Sequence, residues 1–392
     1  MRVIRDTTIP AIVAGFVAVL VGFTSSAVIV FAAAQAAGAT PAQAGSWMWA
    51  LGLGMGATCI GLSLWFRVPI LTAWSTPGAA LLITSVAGVP LAETIGAFVV
   101  TGILITVAGV TGAFAWAMSR VRVSLASALL AGVLVRFGLD AARAAGTELA
   151  LVLAMFAAYL VTRRLAPRYA ALATLAVGVA VAAASGLLGD LELPRGLTRP
   201  EWVTPQLSLS AIVGVAVPLF AVTMASQNVP GVAVLRASGY DPPVSPVIAT
   251  TGIATTILAP FGGFTFNLAA ITAAICTGED AHPDRERRYT AAVWAGVFYV
   301  LVGLFGGAVA GFFAAFPPEL VVTIAGLALL GTIGNGLATA LADEAEREPA
   351  LVTFLVTASG VTLLSVGSAF WGLAAGVVAT AVAHAGRPAA AP

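Results

Sequence analysis

The stretch ILAPFGGFTFNLAAITAAICTG, residues 257–278, is apolar enough to lie in a bilayer, yet it contains the helix-breaking residues Pro260 and Gly262. A second stretch, ILTAWSTPGAALLITSVAG at residues 70–88, is interrupted in the same way at Pro77. Lipid offers no hydrogen bonds to backbone N–H and C=O groups. Non-helical chain at membrane depth must therefore be buried in protein or line a wet cavity. The two stretches predict a site inside a membrane protein.

The composition points to a polytopic helical membrane protein. The chain has 392 residues, of which 60% are hydrophobic and 9% are charged, whereas a soluble domain carries about 25% charged residues. Apolar runs of roughly 20 residues recur along the chain, as membrane-spanning helices require. The net charge of +1 argues against a nucleic-acid partner. With only two histidines and no clustered carboxylates, we expect no metal site, no cofactor and no enzymatic centre.

Hydropathy and punctuation predict fourteen membrane segments in an all-α protein. Their bounds are roughly 10–36, 43–66, 70–87, 91–118, 122–140, 147–165, 168–189, 208–234, 242–258, 262–278, 286–315, 317–341, 349–365 and 367–386. With both termini in the cytoplasm, only four of the 18 basic residues fall outside, namely Arg136, Arg143, Arg195 and Arg199. This strong positive-inside bias supports an even number of spans, with the chain expected in the cell inner membrane.

Paired motifs predict an inverted repeat. Residues 36–41, AAGATP, match residues 237–242, ASGYDP, at an offset of 201. Three glycines of the fourth segment recur 194 residues later in the eleventh, and Thr76 pairs with Thr265 at an offset of 189. Segments 1–7 and 8–14 are therefore predicted to be copies. Because seven is odd, the second copy enters the membrane from the opposite side, as in secondary transporters whose substrates bind near the midplane.

The two interrupted segments, numbers 3 and 10, are predicted to run as short strands over residues 69–74 and 259–264 and then to begin half-helices near Thr76 and Thr265. Thr76 reads as an N-cap before a proline. The strands can pair, and both helix N-termini would then point into one pocket that suits an anion or a carboxylate. The predicted pocket residues are Ser25, Ser26, Trp74, Ser75, Thr76, Gln227, Asn228, Phe264, Thr265, Phe266 and Asn267.

Several of these residues also have a purely structural interpretation. The Gln227–Asn228 pair could join helices by hydrogen bonds instead of lining the pocket. Phe264 and Phe266 could pack in the core or face lipid, and the small hydroxyls of the first segment are common in helix contacts.

Four motifs resemble the bacterial benzoate membrane transport family: TAWSTPGAAL, SQNVPG, GGFTFNLAAITAAICTG and LAGVLVRFGLDA. The resemblance covers nearly the whole chain and implies a proton-coupled importer of benzoate. It also implies a fold similar to that of the uracil and sulfate permeases, with seven plus seven segments in two domains. The core domain would comprise residues 1–120 and 208–316, and the gate domain residues 121–207 and 317–392.

The sequence departs from the uracil-type relatives at their acidic positions. Those relatives use acidic residues in segments eight and ten, where this chain has Gln227 and Asn267. A carboxylate substrate would be repelled by an acid there, so the change suits benzoate but removes the obvious proton carrier. The acids that remain near the membrane are Glu93, Glu148 and Glu319. Glu93 is the proton-coupling candidate, although an acid at a helix start also simply favours the helix dipole. Arg136 would either snorkel to the outer interface or act in the gate domain.

Other function classes fit less well. A membrane-embedded enzyme would need a catalytic constellation that is absent from the sequence, and a channel would show a continuous polar path. The main alternative is a carrier of the same fold for another solute, such as a nucleobase or an inorganic anion. We therefore expect the protein to lie in a lipid bilayer and to bind a small aromatic carboxylate and protons. A homodimer is possible on this reading of the sequence.

Overall fold

Helices account for nearly all regular structure in the computed structural model, which describes residues 2–86, 88–119, 122–166, 169–189, 196–306, 315–361, 363 and 368–384. The helices are α1 (Arg2–Asp6), α2 (Ile9–Ala36), α3 (Pro41–Phe66), α4 (Thr76–Ser85), α5 (Leu91–Val110), α6 (Ala113–Met118), α7 (Val123–Ala144), α8 (Leu149–Leu165), α9 (Ala170–Ala184), α10 (Leu209–Ala237), α11 (Val244–Leu258), α12 (Ile271–Thr277), α13 (Tyr289–Leu304), α14 (Pro318–Ala340), α15 (Arg347–Ser359) and α16 (Ser368–His384). Each of the fourteen predicted segments overlaps at least one of them.

The helix lengths fit a multi-pass membrane protein. Within the described ranges, six helices are long and apolar enough to cross a membrane on their own: α3, α5, α7, α10, α14 and α11 together with the turn that follows it. Two helices are much shorter, since α4 and α12 have only 10 and 7 residues. An α-helix rises about 1.5 Å per residue, so neither of these two can span a bilayer core of about 30 Å. They are half-helices, as predicted.

Close glycine contacts repeat at the offset that the sequence predicted. A Cβ added at Gly296 of α13 would lie 2.9 Å from the carbonyl oxygen of Gly56 in α3. A Cβ added at Gly102 of α5 would lie 2.9 Å from the carbonyl oxygen of Gly252 in α11. Both approaches are possible only without a side chain. The α3–α13 contact and the α5–α11 contact are thus equivalent. In each, a helix of one copy packs on a helix of the other copy, as expected for an internal repeat.

The remaining long helices form a second set of contacts. Helix α7 packs extensively on α14 and also on α15, while α8 packs on α9 and α15 on α16. Gly132 of α7 allows this approach, because a Cβ there would lie 2.8 Å from the carbonyl oxygen of Phe354 in α15. These helices derive from segments 5–7 and 12–14.

Two short strands lie where the chain is interrupted. Strand β1 (Thr72–Trp74) precedes α4, and strand β2 (Phe266–Leu268) precedes α12. They pair antiparallel, with Thr72 opposite Leu268 and Trp74 opposite Phe266. The predicted pairing of strands from the two repeats is confirmed.

Side chains satisfy the outer backbone groups of both strands. Thr255 Oγ1 accepts a hydrogen bond from the Phe266 N–H at 2.9 Å, and Asn228 Oδ1 accepts one from the Leu268 N–H at 2.9 Å. On the other strand, the Thr72 N–H donates to Cys59 Sγ at 3.1 Å. These bonds resolve the problem that broken helices pose in a membrane, because buried polar helix residues replace the missing backbone partners.

The predicted boundaries of the second break were wrong. Residues Ala259–Phe261 form a 3-10 turn, and Gly262 then reverses the chain at a φ of 94°. The strand begins at Phe266, and the half-helix begins at Ile271. Thr265 therefore precedes the strand and starts no helix. At the first break the helix does begin at Thr76, but its N-cap is Ser75, whose side chain accepts from the Gly78 N–H at 3.0 Å.

Candidate functional site

A cavity of about 480 Å³ lies beside the strand pair. Four of the predicted pocket residues line it: Ser26, Trp74, Thr76 and Gln227. The lining also includes Val21, Gly22, Met55, Ala73, Pro77, Arg136, Phe137, Ala269, Ala270, Ile271, Thr272 and Tyr299. Residues from both repeats, and from both ends of the strand pair, thus meet at one cavity.

Three aromatic rings contribute to its wall. The Trp74 indole is buried, and its Nε1–H donates to Ser26 Oγ at 2.9 Å. Ser26 Oγ donates in turn to the Gly22 carbonyl oxygen at 2.9 Å, so the indole is held in one orientation. Phe137 and Tyr299 are the other two rings. The side chain of Ser25 lies outside the described part of the structure.

The adjacent residues Gln227 and Asn228 of helix α10 have different surroundings. Residues Met224–Asn228 form a π-helical turn, which is typical of functional positions in helices. Gln227 lines the cavity. Asn228 is fully buried, with its amide bonded to the backbone of Leu268 and to Met224 Sδ. The structural interpretation therefore applies to Asn228, which holds the strand.

The two half-helices both begin at this cavity. Thr76 and Pro77 of α4, and Ile271 and Thr272 of α12, lie in its wall. Ser75 already occupies the Gly78 N–H, and a proline has no N–H to offer. The first turn of α4 is therefore poorer in free donors than the sequence suggested.

The predicted phenylalanines pack in the core. Phe264 and Phe266 are both fully buried. The Phe264 ring lies 6.1 Å from the rings of both Trp47 and Phe98, measured between centroids, and a Cβ added at Gly54 would overlap the Phe266 ring. Neither is among the described residues that line the cavity, so both serve to pack the interrupted segment against the core.

Asn267 is buried without a hydrogen-bond partner. Neither its Oδ1 nor its Nδ2 has one among the described residues, and the hydroxyl of Thr265 is in the same state. Asn267 lies opposite Ala73 in the strand pair, so the two side chains project from the same face of the ribbon. Ala73 lines the cavity. Buried amides are nearly always paired, so this one is suited to a ligand or a water from that side.

Arg136 is the cationic residue of the cavity wall. It lies eight residues before the end of α7 at Ala144, which is about 12 Å along the axis. The guanidinium approaches Gly360, where an added Cβ would overlap Nη1. Gly360 has a φ of 68° and ends α15. The sequence singled out this arginine without placing it in the predicted pocket.

A second cavity, of about 410 Å³, lies at the other end of α12. Ile275 and Thr277 line it, together with Arg163 of α8 and Asp280. Arg163 Nη1 donates to both carboxylate oxygens of Asp280, at 2.8 and 3.0 Å. Burial raises the pKa of Asp280 above its ordinary value, and the positive charge of Arg163 opposes that rise. Glu93 lies in the first turn of α5 and lines neither cavity in the described part of the chain.

Comparisons with known proteins agree with this architecture. The family model described as benzoate membrane transport protein matches residues 5–382. The inner membrane protein YdcO of Escherichia coli is 50% identical over 369 residues, covering 94% of each chain. The benzoate membrane transport protein of Acinetobacter baylyi is 39% identical over 375 residues, covering 96% of this chain and 95% of its own.

Among solved structures, the overall structure of SLC26A9 matches with a TM-score of 0.54. The match covers 97% of this chain and 66% of that one, at 13% sequence identity. At this level of identity the likeness concerns the fold.

Proposed function

The chain belongs to the benzoate membrane transport protein family, and we propose that it imports benzoate, or a closely similar aromatic carboxylate, together with protons by alternating access. The observation that carries this proposal is the cavity at the strand pair. Its wall combines the aromatic side chains of Trp74, Phe137 and Tyr299 with polar groups and a guanidinium. Such a wall suits a ring that bears one negative charge.

The size of the cavity favours an aromatic solute over a small inorganic anion. An apolar cavity of about 150 Å³ accepts a benzene ring, so about 480 Å³ has room for benzoate and several waters. A sulfate-sized ion would need mainly hydrogen-bond donors and would leave the aromatic side chains without a role. The pocket proposed for the substrate comprises Ser26, Trp74, Thr76 and Gln227, with Asn267 behind them.

Alternating access is supported by the arrangement of two helix sets around two cavities. We assign the segments of α2–α6 and α10–α13 to a core domain, and those of α7–α9 and α14–α16 to a gate domain. The main cavity then lies between the domains, since α7 faces the strand pair across it. The second cavity lies beyond α12, a helix about 10 Å long. Substrate would pass from one cavity to the other as the domains move.

Orientation and span count are part of the same proposal. Fourteen spans with both termini in the cytoplasm place the ion pair of Arg163 and Asp280 at the cytoplasmic end. The inner membrane is the expected location, in keeping with the printed name of the Escherichia coli relative.

The test is uptake of radiolabelled benzoate into proteoliposomes, with and without an inward proton gradient. We expect saturable uptake that the gradient accelerates and that a protonophore abolishes. Unlabelled uracil and sulfate serve as competitors for the alternative solutes. If uracil or sulfate competes more strongly than unlabelled benzoate, the alternative carrier is favoured. If the uptake rate is the same with and without the proton gradient, transport is not coupled to protons.

A further inference from the structure

Resting on the proposed function, we propose that Arg136 is the residue that binds the substrate's carboxylate and thereby makes the site selective for an anion. The charge would come from α7, across the cavity from the strand pair and the half-helices. An anionic substrate would then be bound by both helix sets at once, with its ring against the aromatic wall and its carboxylate on the guanidinium.

Position is the first argument. A charged side chain within a membrane segment is costly and is kept mainly where it faces a cavity or a partner. Arg136 faces the cavity, and the adjacent Phe137 lines it as well. Asp140 and Arg143 continue α7 toward solvent as an exposed pair, whereas Arg136 lines the cavity and its guanidinium lies at Gly360.

The second argument is the absence of a competing anion. In the described residues Arg136 forms no ion pair or hydrogen bond. Asp140, one helical turn away, is instead bonded to Arg143 at 2.9 Å. The guanidinium lies at Gly360, the C-cap of α15, and the last carbonyl groups of a helix carry its negative dipole end. Such a helix end favours a cation without neutralising it. The charge of Arg136 therefore remains available to a ligand.

The third argument comes from the strand pair beside the cavity. Asn267 is fully buried with both amide atoms unpaired, and it shares a ribbon face with the cavity residue Ala73. An unpaired buried amide indicates a missing partner on that side. A planar carboxylate can accept two parallel N–H bonds from one guanidinium, which no neutral substrate group of similar size can match. An unpartnered amide in the strand pair and a guanidinium in the cavity wall are thus both present for a polar substrate group.

The experiment compares binding of benzoate and of benzamide, its neutral analogue, to the full-length protein in lipid nanodiscs. The variants are Arg136→Gln, Arg136→Lys and the matched control Arg143→Gln, which removes an exposed arginine from the same helix. We expect Arg136→Gln to weaken benzoate binding about ten- to a hundredfold, the range for one charge-assisted interaction. Benzamide affinity should change less than about threefold, Arg136→Lys should restore part of the preference, and Arg143→Gln should match the wild type.

Two outcomes would overturn the inference while leaving the proposed function intact. One is a wild-type preference for benzoate that persists in Arg136→Gln. The other is an equal loss of both ligands in Arg136→Gln and Arg136→Lys, which would assign Arg136 a structural role. Failure of the proposed function looks different, because the wild type itself would then take up no benzoate.

Discussion

The ion pair between Arg163 and Asp280 joins α8 to the loop after α12, and its removal should loosen that contact measurably. Arg163 Nη1 bonds both carboxylate oxygens, at 2.8 and 3.0 Å. The two side chains are 38% and 18% exposed. The partners therefore differ in how much water would reach them once the pair is broken.

The magnitude follows from this partial burial. Hydrogen bonds to charged groups contribute about 1.5–3 kcal/mol when buried, whereas exposed ion pairs contribute about 0.2–1 kcal/mol. Because Arg163 is more than one-third exposed, solvent screens the pair, and we expect a coupling energy of about 1–1.5 kcal/mol. Arg163→Ala should cost more than Asp280→Ala, since it leaves the less exposed partner, Asp280, without its counter-charge.

The cost of Arg163→Ala should also depend on pH. The folded-state pKa of Asp280 is raised above its ordinary value of 3.8, mainly by burial. Stability from this group is therefore complete below about pH 3.8 and is lost as the pH rises through the folded-state pKa. Removing Arg163 removes the charge that opposes the rise, so the folded-state pKa moves higher. The loss of unfolding free energy caused by Arg163→Ala should therefore be larger at pH 8 than at pH 5.

The assay is a double-mutant cycle on the unfolding free energy in mixed micelles at both pH values. Arg164→Ala, the neighbouring exposed arginine on α8, is the matched control and should show no pH-dependent deficit. A coupling energy below about 0.3 kcal/mol, or a deficit in Arg163→Ala that is the same at pH 5 and pH 8, would refute the reasoning.

Three further changes test the interrupted segments. Thr255→Val leaves the Phe266 N–H unpaired, so the unfolding free energy should fall by about 1–3 kcal/mol. Gly262→Ala should destabilise far more than Gly38→Ala in thermal unfolding, because both glycines have positive φ but only Gly262 also abuts an indole ring. Asn267→Asp should weaken benzoate binding more than Asn267→Ala, because an ionised buried carboxylate would repel the substrate. The loss in Asn267→Asp should be larger at pH 8 than at pH 6. Equal losses in the two variants would argue against a ligand near this amide.

The first break could be predicted from sequence almost to the residue because its signals are local. Ser75, Thr76 and Pro77 form a polar cap followed by proline, and the helix begins at Thr76. The predicted strand, residues 69–74, contains the observed one. Pairing with the second strand followed from the need to satisfy backbone groups in lipid, which applies to any sequence.

The second break was misplaced because its half-helix begins without a polar cap. Ala270 occupies the N-cap position and makes no side-chain bond, so Thr265 was the nearest residue that resembled a cap. Ile271 follows Thr76 by 195 residues (271 − 76). The glycines of the next segment pair at 194, so a constant repeat offset would have located this helix start. Long-range symmetry was a better guide here than local propensity.

The roles of adjacent polar residues in α10 could not be separated by sequence, because helical phase is not constant along that helix. Two π-helical turns, at Ile212–Ala216 and Met224–Asn228, each add a residue to a turn. Every later side chain is thereby rotated by about 100° from where a regular helix would place it. Gln227 and Asn228 lie at the end of the second turn, where one reaches the cavity and the other the strand. Adjacent residues of a helix lie about 100° apart, but without the helical phase a periodicity argument cannot say which of the two faces the cavity. The distinction depends on the strand pair, which supplies the backbone N–H that fixes Asn228 and leaves Gln227 directed at the cavity.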